Sequence, residues 1–409
     1  MAKEAGYDTV RDIVIDVLSA ENNSEVYARY QLARPFLKGW KFLLASEAGG
    51  APYQTLDQEI AGTAVIRGLF RTSNVLLLDE QTECDMHNGT GIPVDYSVSL
   101  DTQAASYLRT FFMRDGDVPS SFKEVLQYIA DPDTNVDIAP YLIENSSGFI
   151  ENDRGERILE TVASFEFLKN LDLEKISTNG EFASVVGNAD LIIRAQRLIS
   201  EYIYDGIIES SANLYKPFYC LLLKMAEIQF GKRGAPLSKK MEHLIEFQHN
   251  TLASLWTRET VLGRNFFERG QNVKFMRKVQ VKKSGLFEDL KNMAWDMWHV
   301  RYCEKLLTAP RADDARYYIP CILTFDAGMA EMIDMYSLRA CAIPPHGEGI
   351  IPVIEKEKVT GSCTASEYMD KFFTKEAQED RRKRHNDRSS IIAETIISLE
   401  KEVSRLAGI

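Results

Sequence analysis

The alternation of apolar and polar positions defines the first elements. Val75 to Leu78 is a continuous apolar run closed by Asp79 and reads as a buried strand, followed by a polar, glycine-containing loop, Glu80 to Gly91. Tyr96 to Leu100 reads as a second strand that ends at Asp101. From Thr102 to Phe112 the period changes, and Ala104, Tyr107, Leu108 and Phe111 recur at three- and four-residue spacing, which predicts a helix. A second amphipathic helix is expected from Ser121 to Ile129, with Phe122, Val125, Leu126 and Ile129 on one face, broken by Asp131, Pro132 and Asp133. A short extended piece from Val136 then turns into a helix at Pro140, where a first-turn proline is well tolerated.

Residues 156 to about 280 read as almost wholly helical, for example Ile158 to Leu171, Leu191 to Ile208 and Phe218 to Phe230. A helix from Leu286 to Leu307, a polar loop from Ala309 to Arg316 and a strand from Tyr318 to Asp326 follow. A helix over Gly328 to Met335 and a short strand from Leu338 to Ile343 close this part of the chain. The first 70 residues mix a helix near 25 to 38 with short apolar stretches that carry no recognisable role. From Glu355 the chain is highly charged, and Ile392, Ile396, Leu399, Val403 and Leu406 then recur at coiled-coil-like spacing. That spacing predicts a C-terminal helix that docks on the body or on a second copy of the chain.

Composition narrows the class. At 409 residues and 45% hydrophobic, the chain is long enough for a sizeable core and for two or three domains, or one domain with a large insertion. No apolar run is long enough to cross a bilayer, and the start has no apolar stretch behind a basic one, so a cytoplasmic protein without a membrane span is expected. The six cysteines, Cys84, Cys220, Cys303, Cys321, Cys341 and Cys363, form no pair with metal-site spacing and read as free thiols. A net charge of −12 argues against a protein that coats nucleic acid, but not against an enzyme that cleaves it. Carboxylates that hold a divalent cation add negative charge of their own, which the cation reverses locally.

The candidate chemistry lies in the order strand, Asp, helix. Asp101 and Asp326 each end a strand, Glu144 lies on a helix after a short extended piece, and Asp296 lies on the helix that leads into the Asp326 strand. Side chains at the carboxyl ends of neighbouring parallel strands share one edge, so the four acids can converge there. Phosphodiester hydrolysis needs an activated water and neutralisation of the phosphate. Hard cations such as Mg²⁺ or Mn²⁺ do both and take oxygen ligands. Asp101 and Asp326 also have a plainer role, since Asp is a preferred helix N-cap.

These residues resemble the motifs of PIN-domain nucleases. The stretch from Val98 through Asp101, Thr102 and Gln103 to Leu108 is similar to the family's opening strand–Asp–helix motif, with Gln103 where the family usually has Asn. Ile138 to Glu144, Trp295–Asp296, and Ile322 to Asp326 with its Thr-x-Asp resemble the second, third and fourth motifs, in the family's order. The resemblance implies a three-layer α/β/α core with a central parallel sheet, here with a large helical insertion and a C-terminal helix. It implies Mg²⁺- or Mn²⁺-dependent cleavage of RNA, less often DNA. Asp101, Glu144, Asp296 and Asp326 would then be ligands, and Gln103 and Thr324 their hydrogen-bonding supports. Many members are prokaryotic toxins or defence proteins, so an antitoxin-like partner is also implied. Asp190 rivals Asp296 for the third acidic position, and Asp79 is a possible additional acid.

The expected organisation is an N-terminal segment, 1–70; a nuclease domain, 71–350, with the helical insertion at about 156–285; and a charged helical tail, 351–409. The basic stretch from Arg258 to Lys283 supplies candidate phosphate contacts at Arg264, Arg269, Lys274, Arg277 and Lys278. His299, one turn beyond Asp296, reads first as a buried structural histidine. The alternative function is a non-catalytic interaction scaffold, in which the four acids would lie apart or be neutralised by Arg and Lys.

Overall fold

A computed structural model describes residues 2–46, 53–54, 56–60, 62–114, 116–131, 134–149, 152–205, 211, 213–309, 315–346, 349–354, 368 and 370–409. The loop expected at Ala309 to Arg316 lies largely outside these residues, as does the first part of the charged stretch, 355–367 and 369. So do Cys363 and the Pro132–Asp133 part of the expected helix break.

Two five-stranded sheets organise the chain. The first has the order β10 (Ile351–Val353), β9 (Ala340–Ile343), β1 (Lys41–Ser46), β5 (Asn74–Leu78), β2 (Tyr53–Gln54), and every pairing in it is antiparallel. Its strands alternate between two cores, as the two-residue period of a strand requires. Phe42, Leu44, Leu78, Ala340 and Ala342 face the N-terminal helices α1 (Ala2–Ser19) and α2 (Asn23–Ala33), where Val14, Leu18, Val26 and Tyr30 pack. Leu43, Val75, Leu77 and Cys341 face the large helical core.

The second sheet has the order β3 (Gln58–Ile60), β4 (Ala64–Gly68), β8 (Tyr317–Thr324), β6 (Val94–Leu100), β7 (Val136–Asp137). β6 runs parallel to both β8 and β7, whereas β4 runs antiparallel to β8 and to β3. Val98, Leu100, Ile66, Cys321 and Leu323 pack beneath α4 (Thr102–Met113), α5 (Phe122–Ile129) and α7 (Asn152–Lys169).

This corrects the expected core. Among the described residues no central parallel sheet of a three-layer α/β/α domain is built, because parallel pairing is confined to the three strands β7, β6 and β8. Two local causes are visible. β3 and β4 are joined by a tight turn at Gly62, whose φ of +69° suits glycine, and such a short link permits only antiparallel pairing. The apolar run at Val75, placed in the same expected nuclease domain as Asp101, pairs with β1 in the other sheet, as does the strand after Leu338. Residues 1–70 therefore supply strands to both sheets.

The helical block comprises α8 (Leu173–Asn179), α9 (Asn188–Tyr204), α10 (Lys216–Gly231), α11 (Leu237–Asn250) and α12 (Thr257–Arg269). It ends in short 3-10 turns at Gly270–Asn272 and Phe275–Lys278 rather than in continuous helix. α13 (Leu286–Leu306) then crosses behind β8, and α14 (Ala327–Met335) follows that strand. A short helix, α3 (Thr82–Asn88), lies within the segment expected to be a polar loop. Finally α15 (Lys375–Arg384) leads into α16 (Arg388–Ala407). Of the heptad-like positions, Ile392, Leu399 and Val403 are buried against the body, where α16 packs on α10. The Tyr219 hydroxyl donates to Glu400 at 2.6 Å, fixing the two helices in register. The expected C-terminal helix thus docks within its own chain.

Candidate active site

Four segments far apart in sequence meet at the carboxyl edge of the β6–β8 pair. Because these strands are parallel neighbours, with Leu100 opposite Leu323, the residues that follow them emerge side by side. Asp101 and Asp326 are those residues, and each caps the helix after its strand. Asp101 accepts from the Ala104 amide at 2.6 Å, and Asp326 accepts from the amides of Gly328 at 2.5 Å and Met329 at 3.2 Å. The capping role therefore coexists with the position expected for a ligand. Glu144 arrives from α6 (Ala139–Glu144), and Asp296 from α13. All four line one cavity of about 790 Å³.

Hydroxyls hold two of the acids. Thr324 donates to Asp101 and at the same time accepts from the Asp326 amide at 3.0 Å. Thr102 donates to Glu144. The expected support from Gln103 takes a different form, since its side-chain amide donates to the Tyr107 hydroxyl at 2.8 Å. Gln103 is exposed and borders the cavity, and Thr102 occupies the role assigned to it.

The site's electrostatics follow from crowding like charges in a partly buried space. Burial is the largest influence on Glu144, whose carboxyl is pushed up to about 7 against the opposing Thr102 bond, with Asp101 adding to the rise. Burial likewise raises Asp101 to about 6, opposed by its bonds from Thr324 and Ala104 and reinforced by Asp326. Asp296 lies well above the usual carboxylate range, first through burial and then through Glu144, Asp326 and Asp101, with Lys278 working the other way. No hydrogen bond from a described residue reaches the Asp296 carboxylate. No described Lys or Arg forms an ion pair with any of the four acids.

The donor set suits a hard divalent cation, because five carboxylates, the four acids and Glu288, line the cavity and no described histidine or cysteine does. As placed, no three His, Cys, Asp or Glu side chains among the described residues are arranged to grip one ion. Both Asp101 oxygens are engaged by protein donors, while Asp296 and one oxygen each of Glu144 and Asp326 accept no described hydrogen bond. A cation that keeps several of its waters, as Mg²⁺ does, fits such a loose arrangement better than one that needs a complete protein cage.

Asp190, the rival third acid, is exposed in the first turn of α9 and does not line the cavity. Asp79 follows β5 of the other sheet and is bound to Arg316 at 2.8 Å and the Tyr317 hydroxyl at 2.9 Å. His299 is buried off the cavity, and burial pushes its pKa down to about 3.

The basic stretch divides. Lys278 reaches the cavity. Arg258 is only 2% exposed and pairs with Glu304 at 2.6 Å, while Arg264 pairs with Glu268 and Arg269 with Glu331. Lys274 and Arg277 are exposed but do not line the cavity. The other cations on its wall, Arg154 and Lys291, were not singled out in the sequence. Lys291 had a signal, because Glu288, Lys291, Asn292, Trp295 and Asp296 recur at helical spacing and all line the cavity from α13. Arg154 had none.

A comparison of the chain with protein-family models, curated proteins and solved structures finds no match. No helix among the described residues is long and apolar enough to cross a membrane.

Proposed function

We propose that this protein is a divalent-metal-dependent nuclease, with RNA as the first substrate to test. The observation that carries the reading is the meeting of Asp101, Glu144, Asp296 and Asp326, from four separate chain segments, on one cavity without ion-pair partners among the described residues. Buried like charges repel, so an arrangement of this kind is costly unless protons or a cation neutralise it. When bound, Mg²⁺ or Mn²⁺ would activate a water and offset charge on the scissile phosphate. Asp296 and the free oxygens of Glu144 and Asp326 would hold the ion directly or through its waters. Thr324 and Thr102 would keep Asp101 and Glu144 oriented. Arg154, Lys278 and Lys291 would hold flanking phosphates without reading sequence.

The order of the four acidic motifs, which resembles that of PIN-domain nucleases, supports the same reading. The scaffold alternative requires the acids to be apart or paired with Arg and Lys, and the cavity favours hydrolysis over it.

The test is cleavage of single-stranded RNA and DNA with Mn²⁺ or Mg²⁺, using wild type beside Asp101→Asn and Asp326→Asn. Metal-dependent cleavage that both substitutions abolish is the expected result, and the nucleic acid cut identifies the substrate. Equal activity in the variants would assign the cleavage to a contaminant. No cleavage, together with no metal binding by calorimetry, would overturn the proposal in favour of the scaffold.

A further inference from the structure

Beside the four acids, the cavity wall carries two aromatic rings that the hydrolytic chemistry does not need. Tyr215 immediately precedes α10, and Trp295 adjoins Asp296 on α13; their centroids are 5.1 Å apart with 32° between ring planes. Both are half-buried and both line the cavity. Rings whose purpose is core packing are usually closed off from water, as Tyr219 is behind this pair.

The pair is braced from behind. Trp298 meets Trp295 edge-on at 5.4 Å and 85°, and Tyr219 stands 6.2 Å from Tyr215 with its hydroxyl tied to Glu400. Lys291 lies one helical turn before Trp295, with its ammonium 5.8 Å from the Tyr219 ring. Fixed aromatic faces beside a cation are the components by which proteins hold unpaired nucleic acid, with bases stacking on the rings and the backbone following the positive charge.

We infer that Tyr215 and Trp295 form a base-stacking platform, so that the substrate engages this site through an unpaired nucleotide next to the scissile phosphate. The inference rests on the nuclease reading and adds to it the element that selects the substrate's form. A base within a duplex offers its faces to its neighbours in the stack, so it must leave the helix before it can lie on these rings. The cavity, at about 790 Å³, has the size of a pocket for small ligands rather than of a cleft for a double helix. The helical block therefore contributes Tyr215 to a site whose acids come from outside it.

The experiment measures binding rather than cleavage, using the full chain in Ca²⁺ and a labelled eight-nucleotide RNA. The same strand with abasic sites throughout and a blunt duplex of the same sequence serve as comparisons. Intact RNA is expected to bind at least about tenfold tighter than the abasic strand, the scale of one base–aromatic stack, with the duplex weaker still. Tyr215→Ala and Trp295→Leu should lower intact RNA to the abasic level, whereas Tyr215→Phe and Trp295→Phe should retain the preference. Equal binding of intact and abasic strands by wild type, or a preference unchanged in Tyr215→Ala, would overturn the platform. If Trp295→Leu fails to fold, Tyr215→Ala decides. A base preference without metal-dependent cleavage would leave the platform standing and remove the nuclease reading; cleavage without the preference would do the reverse.

Discussion

The hydroxyl of Thr324 donates to the carboxylate of Asp101 across the β6–β8 pair while accepting from the amide of Asp326. One fully buried side chain thus couples the two acids that end neighbouring parallel strands. Thr324→Val keeps the shape and removes the hydroxyl. Asp101 would then retain only its bonds from the start of α4, with one oxygen unsatisfied. By analogy with the outer partners of metal ligands, we expect metal affinity or activity to fall about 10- to 100-fold. The loss of stability should be about 1 to 3 kcal/mol. Thr324→Ser should restore most of both. Metal titration by calorimetry beside chemical denaturation checks this, and a Thr324→Val variant with wild-type metal affinity would contradict it.

Asp296 is expected to limit stability in the metal-free protein. Its carboxyl is raised by burial and by three neighbouring acids, so the folded state binds protons more tightly than the unfolded state does. For a carboxyl raised on folding, stability falls as pH rises from the unfolded value toward the folded one. Glu144 and Asp101, raised to about 7 and about 6, act in the same direction. Asp296→Asn should therefore melt higher than wild type at pH 8 in chelator, by about 1 °C for each kcal/mol relieved in a chain of 409 residues. It should also lose the stabilisation that Mg²⁺ or Mn²⁺ gives wild type at that pH. Thermal melts at pH 5.5 and 8, with and without metal, read both effects. A lower melting temperature at pH 8, or an undiminished metal shift, would count against the arrangement.

The site was more legible in the sequence than the fold was. Asp101 and Asp326 could be placed because a strand that ends in Asp and opens a helix fixes where that Asp points, and the β6–β8 pairing needed only two such strands to be neighbours. Trp295–Asp296 could be placed by its helix alone. Sheet membership could not, because the apolar run at Val75 is equally consistent with either sheet, and partner strands are chosen by long-range packing that local pattern does not encode. The basic stretch divides for a related reason. Charge in sequence says nothing of burial, and Arg258 lies inside while Lys278 reaches the cavity.

Arg258 belongs to a neutral group of two Arg and two Glu. It pairs with Glu304 at 2.6 Å, and Arg301 bridges Glu304 at 2.7 Å and Glu259 at 2.5 Å. Removing one member of a buried group leaves an uncompensated charge, so Arg258→Ala should destabilise the protein by about 3 to 5 kcal/mol. RNA affinity of the remaining folded protein should be unchanged. Lys278→Ala should show the reverse, with weaker binding, a shallower salt dependence and an ordinary melting temperature. If Arg258→Ala instead weakened RNA binding without lowering stability, the stretch would be a contact surface after all.

His299 sets a pH dependence of its own. It is 5% exposed, its Nε2 has no hydrogen-bond partner among the described residues, and burial holds its pKa at about 3, against 6.5 ordinarily. Between these values the unfolded chain takes up a proton that the folded chain refuses, so stability falls as pH drops below 6.5. At pH 5 the loss is about 2 kcal/mol, from about 1.4 kcal/mol per pH unit. This runs opposite to the acid cluster, whose folded state gains protons over the same range, so the two effects partly cancel in wild type. A variant that cannot titrate at this position separates them. His299→Gln should be less stable than wild type at pH 7.5, because an amide replaces a neutral imidazole in an apolar setting, but that deficit should shrink by about 2 kcal/mol by pH 5. Denaturant titrations of both proteins at the two pH values measure the change. A deficit that is the same at both would mean that His299 is protonated equally in the folded and unfolded chains, and that burial does not lower its pKa.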